Sequence, residues 1–294
     1  LWTHLGLARA LWRDRPDVTW VPAHALPLLC PGRMVVTVHD VGYKHFPDAH
    51  PLKQRLYLDW STRHSVRRAD CVLADSQATA SDITRFYGTE PDKMRVIYPG
   101  IEAPAPGTKD LVRKKYQLPQ QYFLFLGTLQ PRKTISRIVA AYKRWRQASP
   151  DHQAALVLAG RKGWLFDEDW IDGVDGVQVL GYIDEADKGA LYAGALALVF
   201  PSLFEGFCFP VLEAMHMMTP VIASNTSSLP ELAGDAALLV DPLDVTAITE
   251  AMALISDQPQ VRAALIAKGQ QQVRRFTWEG AAQQVMRALE AAAQ

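Results

Sequence analysis

Glu205 and Glu213 have seven residues between them and bracket a turn, Gly206-Phe207-Cys208. The turn follows an apolar run, Gly194–Val199, and leads into helical spacing that starts near Phe209 or Pro210. In α/β proteins, ligands sit at the carboxyl ends of strands, where helix N-termini present free N–H groups. A Gly turn in that place offers backbone donors to an anion, and two carboxylates offer acceptors to sugar hydroxyls. The blander reading is an exposed loop Glu and a first-turn Glu favoured by the helix dipole. A second set, Gly127-Thr128-Leu129-Gln130-Pro131-Arg132-Lys133, joins a strand to a helix. Paired cations at a helix start suit a diphosphate, although most Arg-Lys pairs are solvated surface. His39 follows the run Met34–Val38, where an imidazole can serve as acid, base or hydrogen-bonding group, or can simply be satisfied in a cleft.

Other chemistries find no support. The glycines do not fit a Gly-x-Gly-x-x-Gly fingerprint, and there is no Walker loop and no Asp-x-Asp motif at a strand end. No nucleophilic triad can be assembled, and no metal site is implied. Lys plus Arg and Asp plus Glu balance at 31 each, which gives no electrostatic case for nucleic acid. Cys30, Cys71 and Cys208 are scattered and odd in number, which disfavours a disulfide framework and favours a reducing, cytoplasmic location. The longest apolar run, around Ala190–Phe200, falls short of the roughly 20 residues that span a bilayer. A basic-aromatic surface of Arg9, Arg13 and Arg15 with Trp2 and Trp12 is the candidate for peripheral membrane contact, at the inner face. The chain opens on Leu1 with no initiator Met, as if it started downstream of the natural beginning.

The elements that would position these residues alternate. Short β-type runs are expected at Val18–Val21, Met34–Val38, Asp70–Ala74, Met94–Tyr98, Tyr122–Leu126, Ala154–Ala159, Val177–Leu180, Pro220–Ala223 and Ala237–Val240. Helical spacing is expected at Leu5–Trp12, Pro51–Ala69, Gln77–Tyr87, Ile135–Trp145, Glu185–Ala193, Val245–Ile255, Gln260–Phe276 and Trp278–Ala291. In the helix Pro51–Ala69, Leu52, Leu56, Trp60 and Val66 are expected to face inward. Near-continuous apolar strands alternating with helices indicate parallel sheets with right-handed crossovers. With 294 residues, two α/β domains are the natural division, and Glu102–Gly107 is the most linker-like stretch.

These residues together resemble the family 4 retaining glycosyltransferases, which have the GT-B fold. Phe200 through Ala214 is similar to that family's Glu-x7-Glu signature, and Leu126–Lys133 to its Gly-Thr-x-x-Pro-Arg-Lys segment. Leu158–Trp164, Leu180–Ile183, Thr219–Ser224, Leu229–Glu231, Val240–Pro242 and Val38-His39-Asp40 also match. The resemblance implies two Rossmann-like parallel-sheet domains facing a cleft. It assigns an acceptor-side domain to residues 1–103, a donor-binding domain to 104–276 and a helix returning to the first domain to 277–294. Family members have a further strand-helix-strand region ahead of the residues matching Leu1, so the first domain is expected to be incomplete. Three positions depart from the pattern: Cys208 and Met218 stand where the family has Gly, and Thr134 where it has Asn.

By the same resemblance, the donor is a nucleotide sugar held by Gly127, Thr128, Arg132, Lys133, Tyr182, Gly206, Phe207, Cys208 and Glu213. Glu205 would contact the transferred sugar, and His39 would line the acceptor side. No cofactor and no essential metal are implied, because the cations take the metal's place. The pattern is closest to mannosyltransferases of polysaccharide assembly, so GDP-mannose is the favoured donor and a glycan or lipid-linked molecule the acceptor. A non-catalytic nucleotide-sugar-binding module, and more remotely a GT-B epimerase or phosphorylase, remain as alternatives.

Overall fold

The computed structural model describes residues 2–163 and 165–294; Leu1 and Trp164, the last residue of the Leu158–Trp164 motif, lie outside them. It divides into two compact units. The first holds Leu1–Gly100, Glu205–Phe207 and Phe276–Gln294, and the second holds Ile101–Phe204 and Cys208–Arg275.

In the first unit, a π-helical turn (Trp2–Leu7) runs into α1 (Ala8–Asp14). Strands β1 (Val18–Val21), β2 (Arg33–Val38), β3 (Cys71–Ala74) and β4 (Met94–Val96) form a parallel sheet in the order β1-β2-β3-β4. Helices α2 (Gly42–His45), α3 (Leu52–Arg68) and α4 (Gln77–Tyr87) supply the connections. Ser76 starts α4 by accepting the Thr79 N–H at 3.0 Å, which satisfies one of the helix's free donors.

The second unit has six parallel strands: β5 (Tyr122–Leu126), β6 (Ala155–Ala159), β7 (Val177–Gly181), β8 (Ala197–Phe200), β9 (Val221–Ser224) and β10 (Leu238–Val240). Their order is β10-β9-β8-β5-β6-β7. The chain winds one way from β5 and the other way from β8, so the order reverses between those two neighbours. Helices α5 (Lys109–Lys115), α6 (Ile135–Ala148), α7 (Glu185–Gly194), α8 (Phe209–His216), α9 (Leu229–Ala233), α10 (Val245–Asp257) and α11 (Pro259–Gln272) make the crossovers and the outer layer. The residues of β6, β8 and β9 are all buried, as expected of parallel strands covered on both faces.

The last helix, α12 (Trp278–Ala293), belongs to the first unit, and Thr277 caps it by accepting the Gly280 N–H. Strand alternation explains its seat. Met34, Val36 and Val38 of β2 point into one core cluster, with Val66 of α3 and Ile83 of α4. Val35 and Leu73, on the opposite face, pack with Ala281 and Ala288 of α12.

One expectation fails. Leu52, Leu56 and Trp60 of α3 are exposed, at 59%, 58% and 45%, and of the four residues expected inward only Val66 is buried. The buried face of α3 is built from Ser61, Thr62, Ser65 and Val66. Small residues allow close approach there. Ser65 meets its hydrogen-bonding needs by donating to the Ser61 carbonyl and accepting the Leu26 N–H, both at 2.8 Å.

Candidate functional site

The reversal of strand order puts the loops after β5 and β8 side by side, at the position where open α/β sheets bind ligands. Both loops carry the residues singled out by their chemistry, and hydrogen bonds lock them together. The Leu203 N–H donates to the Arg132 carbonyl at 2.9 Å, and the Ser202 hydroxyl donates to the same oxygen at 3.2 Å. The Arg132 guanidinium donates to the Phe204 carbonyl. The Thr134 hydroxyl donates to the Pro201 carbonyl at 2.7 Å. Thr134 has φ +56°, a left-handed conformation that a β-branched residue rarely adopts and Asn adopts more readily. The Pro201 bond helps hold it there.

Lys133 is buried, and its ammonium sits 4.5 Å from the centre of the Phe200 ring. The reading of Arg132-Lys133 as an ordinary solvated pair therefore does not apply. Gly127, at φ +153°, packs its carbonyl against Gly160 at the end of β6; a Cβ on Gly160 would come within 1.9 Å of that oxygen. The two strand ends thus approach more closely than any side chain would allow. Thr128 is exposed beside them. Tyr182, following β7, is 60% exposed, with the Arg161 guanidinium 4.8 Å from its ring centre.

Glu213 lies in the body of α8, with its side chain mostly buried. Its carboxylate accepts from the Lys188 ammonium and from the Tyr192 hydroxyl of α7, each at 2.8 Å. Burial alone would pull the Lys188 ammonium down, but the bonds to Glu213 and Glu185 outweigh it and hold the group above its usual value. Burial first, and then the Glu213 charge, push the Tyr192 phenol far up. Glu213 is thus an organised acceptor, fixed by two donors that sequence reasoning did not name. Cys208 precedes α8 with φ −115° and a buried side chain. That backbone suits any residue, so its place in the family's Gly position causes no strain. Met218, the other such position, does have φ +56°.

In the first unit the strand ends gather a different set. His39 follows β2, and its Nδ1–H donates to Asp75, after β3, at 2.7 Å. Its Nε2 faces the Pro22 carbonyl at 3.3 Å. Both ring nitrogens meet acceptors, and the bond to Asp75 is the main reason the imidazole is held above its ordinary value. His24, after β1, feels the charges of Asp40 and His39, but burial dominates and lowers it. Sequence reasoning passed over Asp75 as an acid and His24 altogether; the only local signal was that each follows a strand.

Glu205, Gly206 and Phe207 group with this first unit. Glu205 is buried. A Cβ on Gly206 would stand 2.3 Å from the His39 carbonyl oxygen, so the turn approaches the chain's own backbone here. The Thr79 hydroxyl donates to that His39 oxygen at 3.2 Å and lies 3.5 Å from the Gly206 carbonyl. Phe207 meets the ring of Phe276 edge-on, 6.0 Å between centres. Among the described residues no cluster of His, Cys, Asp and Glu could hold a metal ion.

Comparison with known proteins gives two family matches: "Glycosyl transferases group 1" over residues 108–272 and "Glycosyltransferase Family 4" over residues 1–103. The O-antigen chain mannosyltransferase B of Escherichia coli is 34% identical over 270 residues, which cover 87% of this chain and 70% of that protein. The O-antigen chain mannosyltransferase RfbU of Salmonella typhimurium is 30% identical over 240 residues, covering 80% of this chain and 64% of that protein. Among solved structures, sucrose-phosphate synthase from Thermosynechococcus elongatus superposes with a TM-score of 0.72 at 26% identity, covering 89% of this chain and 69% of that one.

Proposed function

The chain belongs to the family 4 glycosyltransferases of GT-B fold, and from that premise we propose that it transfers mannose from a nucleotide sugar, GDP-mannose favoured, to a glycan or lipid-linked acceptor with retention of configuration. The observation that carries this reading is the locking of the Arg132-Lys133 loop to the loop after β8 at the reversal of strand order. Departure of a nucleoside diphosphate builds negative charge, and cations fixed beforehand stabilise it without reorganising. Arg132 and Lys133 supply those cations, with the N–H groups of the Gly206-Phe207-Cys208 turn assisting and Gly127 and Thr128 flanking the phosphates. They do the work that a divalent ion does elsewhere, so neither metal nor cofactor is called for. Glu213, oriented by Lys188 and Tyr192, accepts from ribose hydroxyls. Tyr182 stands by the base, and Glu205 by the transferred sugar.

His39 is the acceptor-side residue. Its raised pKa, set by Asp75, suits a hydrogen-bonding cation better than a proton-abstracting base. No helix among the described residues is long and apolar enough to cross a membrane. We assign the protein to the cytoplasm, where nucleotide sugars would reach it.

The test is a thermal-shift screen of nucleotide sugars followed by a transfer assay with the best binder. A bound donor raises the melting temperature by mass action, by about 2.7 kcal/mol of stability at a hundredfold excess over Kd. Stabilisation by GDP-mannose with sugar transfer is expected. Binding without transfer to any glycan or lipid-linked acceptor would replace this reading with a non-catalytic binding module.

A further inference from the structure

The ends of β6 and β7 carry a stacked cation that the proposed reaction leaves without a role. Arg161 follows β6 and Tyr182 follows β7, and these strands are parallel neighbours. The guanidinium stands 4.8 Å from the centre of the Tyr182 ring, and both residues are exposed. Stacking on a ring fixes the plane of the guanidinium and leaves the N–H groups at its edge available.

The backbone holds this pair beside the loop that follows β5. The Leu129 N–H donates to the Arg161 carbonyl at 2.9 Å, and the Gly163 N–H donates to the Leu129 carbonyl at 2.8 Å. The Gly160 N–H donates to the Gly181 carbonyl at 2.7 Å, which ties the two strand ends together just before Arg161 and Tyr182. Helix α7, which brings Lys188 and Tyr192 to Glu213, begins just after Tyr182, at Glu185. The pair therefore adjoins the loop assigned to the diphosphate and the helix that orients the acceptor assigned to ribose. The next cation in the chain, Lys162, is engaged by Glu168. Among the described residues no carboxylate or carbonyl takes up the Arg161 guanidinium, so its donors are not committed within the protein.

We propose that Arg161, stacked on Tyr182, selects the base of the donor, and that the base is guanine. The assignment rests on the second unit being the nucleotide-sugar site. Guanine presents two acceptors, O6 and N7, on one edge, and the arginine fork meets them with two parallel hydrogen bonds. Adenine sets an amino donor beside N7 and would face the guanidinium donor to donor. Uracil has one acceptor and a C–H on the corresponding edge, so half of the fork would go unmatched. A lysine would not substitute, because a point charge lacks the paired geometry. Arg161 placed on the diphosphate instead would serve every nucleotide alike.

The experiment is isothermal titration of the full chain with GDP, UDP and the 7-deaza analogue of GDP, which lacks N7. Wild type, Arg161→Lys and Arg161→Ala are compared. Wild type should bind GDP at least about ten-fold more tightly than UDP, with the 7-deaza analogue weakened as well. Arg161→Ala should weaken GDP by about ten-fold or more and leave UDP nearly unchanged, so that the preference collapses. In that variant GDP and its 7-deaza analogue should bind equally, since the N7 partner is already gone. Arg161→Lys keeps the charge but loses the fork, and should behave like Arg161→Ala towards GDP. The side chain is exposed, so melting temperatures should stay close to wild type. Equal weakening of GDP and UDP would overturn the proposal and make Arg161 a phosphate contact. A GDP preference that survives in Arg161→Ala would also overturn it, as would a wild type that does not distinguish GDP from the 7-deaza analogue. Wild type binding UDP as tightly as GDP would overturn the base assignment and leave the donor site standing. Binding of none of these diphosphates would overturn the donor site itself, and the base assignment with it.

Discussion

His39 Nδ1 lies 2.7 Å from a carboxylate oxygen of Asp75, which joins the ends of two adjacent parallel strands through a single hydrogen bond. The residues are 36 positions apart, and the contact exists because β2 and β3 are neighbours in register. It fixes which ring nitrogen carries the proton and favours the charged imidazole.

That bond has a pH signature. A histidine raised on folding adds stability fully below its unfolded value of about 6.5, and the contribution is lost as pH climbs through the raised folded value. Asp75→Asn removes the charge and keeps the shape. The gap in denaturation midpoint between wild type and variant should be widest below about pH 6.5 and should narrow as pH rises above it. Following His39 by NMR should show its titration at lower pH in the variant. An unmoved titration would mean that Asp75 does not set it.

Glu213 holds two donors, Lys188 and Tyr192, so its replacement should cost stability apart from any effect on ligand binding. Glu213→Gln leaves a half-buried ammonium with the exposed Glu185 carboxylate, at 3.0 Å, as its remaining ion-pair partner. A loss of about 1–3 kcal/mol in chemical denaturation is expected. A stability equal to wild type would show that the carboxylate is not fixed by these partners.

Met218 offers the opposite result. It is 62% exposed and sits just past the end of α8 at φ +56°, while the neighbouring Thr219 N–H closes onto the Ala214 carbonyl at 2.9 Å. This is the position where helices favour Gly, because a Cβ crowds the left-handed backbone. Met218→Gly should stabilise the protein by about 1 kcal/mol, read as a higher melting temperature. A lower one would mean that the methionine side chain contributes packing that outweighs the strain.

Much of this was legible in the chain. The buried strands read as apolar runs because parallel strands have no solvent face, and the helix starts at Gln77 and Trp278 read from their spacing. The loops after β5 and β8 stood out because their residue types suit phosphates and sugars and both follow strands. The inward face of α3 was not legible. Periodicity reports that Leu52, Leu56 and Trp60 share a side, not which side faces the core; Ser61, Thr62 and Ser65 took the buried one because they are small and Ser65 is satisfied by backbone. The partners Asp75, Lys188 and Tyr192 were equally hidden, since strand and helix neighbours separated by tens of residues leave no local trace. The contact that the missing Cβ of Gly206 permits, with the His39 carbonyl, leaves no local trace either.

The central claim, that Glu205 serves transfer from a nucleotide sugar, is tested most directly by the Glu205→Gln variant. Its kcat for mannose transfer should be measured alongside its Kd for GDP-mannose. A group acting on the sugar as charge develops should cost about a hundred-fold or more in kcat when neutralised, with donor affinity nearly unchanged. Unchanged turnover would contradict the account.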